Sequence, residues 1–104
     1  MKHYKVFVQT DARDDLRKCI DYLLYVKKNR QAAQNLLEDF HETLDALANV
    51  AGSVKNPESE LLNTRKLKRL NFRRHNYFLL FSVENDIVTV TNIFHSLEDF
   101  EKKL

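Results

Sequence analysis

The sequence is nearly empty of the residues that punctuate loops, with one glycine, Gly52, and one proline, Pro57, in 104 residues. Beside an apolar content of 43%, that scarcity excludes collagen-like, linker-rich and low-complexity chains and leaves a compact globular protein. A lone cysteine, Cys19, cannot close an intramolecular disulfide. No charged leader followed by an apolar run and a small-residue cleavage site opens the chain, so a reducing, cytoplasmic location is expected. The longest apolar run, Tyr77 to Phe81, falls far short of the ~20 residues that span a bilayer, and no membrane partner is expected. His3, His41, His75, His95 and Cys19 show no metal-ligand spacing, so neither a metal nor a cofactor is expected. A chain of this length suits a single domain over residues 1–104, able to bury roughly two thirds of the surface its unfolded form exposes.

Charge is scarce only in total. The net value is +2, yet no acid occurs between Glu60 and Glu84, and "RKLKRLNFRRH", Arg65 to His75, carries six permanent cations within that gap. The acids gather elsewhere, as Asp11, Asp14, Asp15 and Asp21 and then Glu38, Asp39, Glu42 and Asp45. One basic face is therefore expected on a molecule that is nearly neutral overall. Because Leu67, Leu70 and Phe72 interleave the cations, the stretch reads as the edge of a folded element and not as a tail.

Hydrophobic spacing divides the chain. Residues 3–9 alternate at period two, with Tyr4, Val6 and Val8 on one side of a short strand. Ala12, Leu16, Cys19, Ile20, Leu23 and Leu24 then recur at three and four, predicting a helix to about Val26 that Thr10 or Asp11 could cap. After "KKNR" the helical period resumes as Ala33, Leu36, Leu37, Phe40, Leu44, Leu47, Ala48 and Ala51, until Gly52 breaks it. So short a connection predicts an antiparallel helical hairpin. A loop to Glu60 follows, and then three strands at 65–72, 77–83 and 87–94, the last two joined by a tight turn at Asn85 and Asp86. The expected fold class is α+β: an N-terminal strand, the hairpin, a mostly antiparallel sheet of about four strands and a short C-terminal helical tail.

That turn sets a register. Val83 should pair with Val88, Phe81 with Val90, Leu79 with Asn92 and Tyr77 with Phe94, all on one apolar face that the helices cover. The other face, with Phe78, Leu80, Ser82, Thr89, Thr91, Ile93 and finally His95, should stay open to solvent or a ligand. Carried across the turn near Arg73, the register keeps Leu70 and Phe72 in the core. It puts Leu67, Arg69, Asn71 and, if the alternation runs into the turn, Arg73 on the open face beside His95.

The segment "KLKRLNFRRHNYFLLFSVENDIVTVTNIFHSLEDFEKKL", Lys66 to Leu104, resembles the C-terminal half of the RelE/ParE superfamily of toxins from type II toxin–antitoxin pairs. The resemblance rests on a basic strand before the central one, on "HNYFLLFSV", on "NDIVTVTNIFH" ending in histidine, and on "HSLEDFE". "ARDDL" and "QAAQNLLEDFHETLDALAN" extend it over the helices. It implies a protein that arrests growth when free and is silenced by a cognate antitoxin. RelE-like members act as ribosome-dependent mRNA endonucleases, with ribosome and mRNA as partners; ParE-like members poison DNA gyrase without cutting. The long hairpin is the more ParE-like feature.

RNA cleavage asks for a proton acceptor, cations around the phosphate and a donor to the leaving oxygen. On that chemistry His95 and Arg73 are the candidate catalytic residues, and Lys66, Lys68, Arg69 and Arg74 the candidates for binding phosphate or target. By resemblance Phe100 stands where some relatives carry a tyrosine; it could stack on a base but has no hydroxyl. Glu98, Asp99 and Glu101 could instead neutralise the basic strand. An endonuclease is the first reading, a gyrase inhibitor the alternative, and a decayed antitoxin-binding member the third. Plainer roles stand beside these. His95 could simply end its strand or meet a partner, and the cations could only guard a sheet edge. His41 and His75 read as surface or turn residues, and Cys19, Tyr22 and Tyr25 as packing.

Overall fold

A computed structural model describes residues 3–104. Strand β1 spans Lys5–Val8, helix α1 Thr10–Asp21 and helix α2 Arg30–Val50. A short helix α3 follows at Glu60–Thr64, then strands β2 (Lys68–Asn71), β3 (Tyr77–Glu84) and β4 (Ile87–His95), and a final turn of 3₁₀ helix at Phe100–Lys103. The sheet order is β1-β4-β3-β2, antiparallel except for the parallel β1–β4 pair. This is the α+β arrangement that the spacing predicts.

Neither Thr10 nor Asp11 caps α1; the capping position is Gln9, whose side chain makes no capping bond. Past Asp21 the helix widens into a π-turn, Tyr22–Val26, and Lys27 N–H reaches back to Tyr22 C=O at 3.0 Å. Lys28 then takes a left-handed conformation at φ 50°. Asn29 at once caps the next helix, its Oδ1 accepting from Ala32 N–H at 2.9 Å. That compact exchange of caps makes α1 and α2 antiparallel neighbours.

Helix α2 ends at Val50, and a 3₁₀ turn, Ala51–Ser53, carries the chain through Gly52. Gly52 has no left-handed φ; what it supplies is space, since a Cβ there would meet the Tyr4 hydroxyl.

The helices cover one face of the sheet. Leu36, Leu47, Leu79, Phe81, Val88 and Val90 are fully buried between the layers, each apolar side chain contributing about 1.5–3 kcal/mol by leaving water. Leu37, expected on the buried stripe of α2, is instead 41% exposed. Tyr22 and Tyr25, expected to pack, stand 48% and 72% exposed at the hairpin tip. The π-turn shifts the helical phase there and turns them outward.

The second face is covered as well. Phe78, Leu80 and Phe94 join Leu62 of α3 and Leu67 in a smaller core, with Phe100 and Leu104 of the tail packed against it. The expectation of an open face fails for a local reason. Ser59 caps α3, accepting from Leu62 N–H, and so folds a five-residue helix out of what reads as loop and early strand. Arg65 and Lys66 accordingly close α3, with Lys66 at φ 58°, and strand β2 begins only at Lys68.

The register agrees with expectation next to the turn, where Val83 pairs with Val88 and Phe81 with Val90. A β-bulge then intervenes. Leu80 pairs with Asn92, Leu79 with Ile93, Phe78 with Phe94 and Tyr77 with His95, leaving Thr91 as the extra residue. One inserted residue exchanges the faces of everything after it. Ile93 and His95 turn to the helix side, while Asn92 and Phe94 turn away. Beyond Val8 strand β1 no longer flanks β4, and Asp15 of α1 takes its place by accepting from Ile93 N–H at 3.0 Å.

Candidate functional site

The basic stretch divides into three settings. Lys66 lies on the left-handed residue after α3, and Lys68 on β2 donates its ammonium to Val54 C=O at 2.8 Å. Arg69, also on β2, faces the smaller core. Its guanidinium lies 3.8 Å from the centre of the Phe78 ring and its Nε donates to Asn71 Oδ1 at 3.0 Å. Burial holds the Arg69 pKa below its ordinary value. A groove of about 750 Å³ runs along this edge, lined by Lys55, Ser59, Arg69, Asn71, Phe100 and Glu101 among others. Phe100 packs edge-on to Phe78 and obliquely to Phe94, at 5.5 and 6.1 Å between ring centres.

Arg73 and Arg74 occupy the turn between β2 and β3, and that turn is built around a carboxylate from α2. Asp39 has no exposed surface. Its Oδ1 accepts from Arg73 N–H at 3.1 Å; its Oδ2 accepts from Arg74 N–H and His75 N–H, each at 3.0 Å, and from the His75 ring at 2.6 Å. Burial works against the ionised form of Asp39, but the His75 ring bond and the Arg74 and Arg73 amides outweigh it and hold the carboxyl below its usual pKa. His75, which the sequence suggests is an ordinary turn residue, is therefore a fixed partner of a buried charge. Arg74 forms an ion pair with Glu42 of α2 at 3.1 Å. A polar cavity of about 200 Å³ lies at the turn, lined by Arg73, Arg74, His75, Asn76 and Ser96 among others.

His95 sits on the helix-side face, its ring edge-on to Tyr77 at 4.9 Å between centres. Nδ1 accepts from Leu97 N–H at 3.1 Å, which puts the ring proton on Nε2. The His95 amide donates to Glu98 Oε1 at 2.9 Å, and Lys103 donates to Glu98 Oε2 at 2.6 Å. Burial alone would raise the Glu98 pKa; the Lys103 and His95 bonds bring it below its ordinary value. Asp99 pairs with Lys102, and Glu101 accepts from Ser59. The tail acids are thus engaged within the tail and with α3, not with the basic strand.

The bulge therefore brings His95 together with Tyr77 and Glu98, and sets it on the opposite face of the sheet from Arg69. Sequence reasoning missed Asp39, which it counts among the exposed acids. The available signal was phase: position 39 falls three residues after Leu36 and four before Thr43, on the buried stripe of α2.

No helix among the described residues is long and apolar enough to cross a membrane. Comparison with curated proteins finds no match in sequence. Two solved structures resemble this one along most of its length. One is the chromosomal ParDE TA system from P. aeruginosa, at TM-score 0.71 and 19% identity, covering 89% of this chain and 96% of that one. The other is the toxin–antitoxin complex RelBE2 from Mycobacterium tuberculosis, at TM-score 0.60 and 22% identity, covering 89% and 98%. At such identities they speak for the fold. A family model, described as the ParE toxin of a type II toxin–antitoxin system, parDE, matches residues 6–100. A match over nearly the whole chain decides the family, and this protein belongs to the ParE toxins of type II toxin–antitoxin systems.

Proposed function

We propose that the chain arrests growth by binding its target and not by cutting RNA, with DNA gyrase as that target and a cognate antitoxin that silences it through an acidic segment. The observation that carries this reading is the Thr91 bulge, which turns His95 away from Arg69. Metal-free RNA cleavage needs a proton acceptor and several cations around one phosphate. Here the His95 Nδ1 is already occupied by the Leu97 amide, Lys68 by a backbone carbonyl, and Arg69 by Phe78 and Asn71. This geometry weighs against the mRNA endonuclease, and the ParE family model supports the alternative. The hairpin tip offers a contact of the required kind: Tyr25 and Val26 are 72% and 64% exposed, beside Lys27, Lys28 and Arg30, with no acid between Asp21 and Glu38. A solvent-facing aromatic and aliphatic pair with a basic rim suits a protein surface. An acidic antitoxin would meet the Arg65 to Arg74 face with fast, salt-sensitive association.

The test is induction of the chain alone in a growing bacterium, following labelled thymidine and labelled amino acid over the first minutes. DNA synthesis should stop first, and His95→Ala should remain toxic. Early loss of protein synthesis with fragmented mRNA, abolished by His95→Ala, would restore the endonuclease.

A further inference from the structure

We infer that Asp39 is the positioning residue of the basic turn, a buried carboxylate that fixes the backbone from Arg73 to His75 so that Arg73 is held out as a preset cation for an acidic partner. The inference deepens the antitoxin part of the function proposed above and rests on it only for the partner's identity. It stands on three observations. Three consecutive amides converge on one side chain that has no exposed surface. A second acid of the same helix, Glu42, holds Arg74 back. Among the described residues the Arg73 side chain makes no hydrogen bond or ion pair, so it is the cation of the turn left to meet a ligand.

The chemistry shows why a carboxylate is required. Consecutive N–H groups pointing inward form an anion-binding concavity, and left empty inside the protein they would be costly. Asp39 fills it with two acceptor oxygens. Asparagine has one oxygen and one amino group, and the amino group must face whichever donors the oxygen does not. Because three of the four bonds go to Oδ2, the asparagine oxygen takes that side. Its amino group then opposes the Arg73 N–H. Asp39→Asn should therefore open the turn at Arg73 while leaving Arg74 and His75 bonded.

The experiment uses the full chain as wild type, Asp39→Asn, Arg73→Gln and the double variant. Amide exchange is followed by NMR, and binding of a fluorescein-labelled ten-residue polyglutamate peptide by anisotropy at low salt. In Asp39→Asn the Arg73 amide should lose protection while those of Arg74 and His75 keep it. Each single variant should weaken peptide binding about tenfold, and the double variant should lose no more than either single, since both act through one guanidinium. Multiplied losses, or a folded Asp39→Asn that binds like wild type, would overturn the assignment. So would a folded Arg73→Gln with unchanged binding. Should Asp39→Asn fail to fold, His75→Gln removes one bond of the four. It should weaken binding about threefold, again without adding to Arg73→Gln, and unchanged binding there also overturns the inference. Peptide binding needs no toxicity, so a chain that passes this test yet arrests no growth refutes the toxin's mode of action and leaves Asp39 standing.

Discussion

Removing the Phe100 ring is the most direct way to ask whether the C-terminal tail belongs to the fold. In Phe100→Ala the ring is lost from contact with Phe78, which is wholly buried, and with Phe94, which is 5% exposed. A fully buried phenylalanine costs about 3–5 kcal/mol when truncated. Phe100 is only half-buried, so we expect about 2 kcal/mol, which includes the edge-on contact with Phe78 at about 0.5–1.5 kcal/mol. The tail should stay attached, because Glu98 still holds the His95 amide and Lys103, and Glu101 still accepts from Ser59. Urea unfolding followed by far-ultraviolet circular dichroism reads the change directly. With a slope of about 1–3 kcal/mol per molar urea, the midpoint should fall by about 0.7–2 M at unchanged slope. Leu97→Ala is the internal control: that side chain is 90% exposed and should move stability by no more than about 0.5 kcal/mol. If the two variants behave alike, the tail is not part of the smaller core, and only Leu62 and Leu67 cover Phe78, Leu80 and Phe94.

Three further outcomes follow from the same geometry. Burial beside Cys19 and Glu98 pushes the Tyr77 hydroxyl up to about 12, so absorbance at alkaline pH should show one tyrosine ionising late, and Tyr77→Phe should remove that phase. The fold favours the protonated phenol, so this contribution to stability is present below about pH 10 and is lost as pH rises towards 12. At the acid end Asp39 and Glu98 both lie below their ordinary values. Their stabilisation is present above the unfolded carboxylate range of about 4 and is lost as pH falls through the lower folded values, while Asp15, raised by burial, works in the opposite sense. Acid unfolding should thus be shallower in a folded Asp39→Asn than in wild type, and equal slopes would remove Asp39 from that account. Gly52→Ala drives a methyl group into the Tyr4 hydroxyl, the outer end of a side chain that can swing aside, and should cost no more than about 1 kcal/mol in thermal or urea unfolding; a larger loss would show that the Tyr4 ring is held in place.

The helices and the β3–β4 hairpin were legible because each declares itself over many residues. Leu36, Phe40 and Leu47 repeat a period that only a helix satisfies, and Asn85, at φ 56°, is a residue type that tolerates the left-handed turn between two apolar runs. Helix α3 was not legible, since five residues hold barely more than one period. Its cap, Ser59 over Leu62, could have been noticed only by someone already looking for a start. The π-turn at Tyr22 was hidden for a related reason: "YLLYV" fits a continued helix in composition, and the extra residue per turn shows only in which side chains end up exposed.

The candidate site was harder to read because its two decisive features are single residues whose effect is displaced along the chain. Thr91 looks like any member of "VTVTN", yet by being unpaired it decides the face on which His95 emerges four residues later. Asp39 looks like one acid among several, yet it defines a turn more than thirty residues away. Pattern arguments treat a charge as solvent-facing and a strand as evenly alternating, and both assumptions hold almost everywhere in this chain. They fail where the backbone has spare hydrogen-bonding groups: at Ile93, whose N–H has outrun β1, and at Arg73 to His75, whose amides point inward. In each case an aspartate from a helix supplies the missing acceptor, Asp15 for the strand and Asp39 for the turn. The basic stretch is thereby fastened to the hairpin that precedes it. Four bonds to Asp39 and the Arg74–Glu42 pair tie that turn to α2, so a change at position 39 is felt first at the backbone of Arg73 to His75.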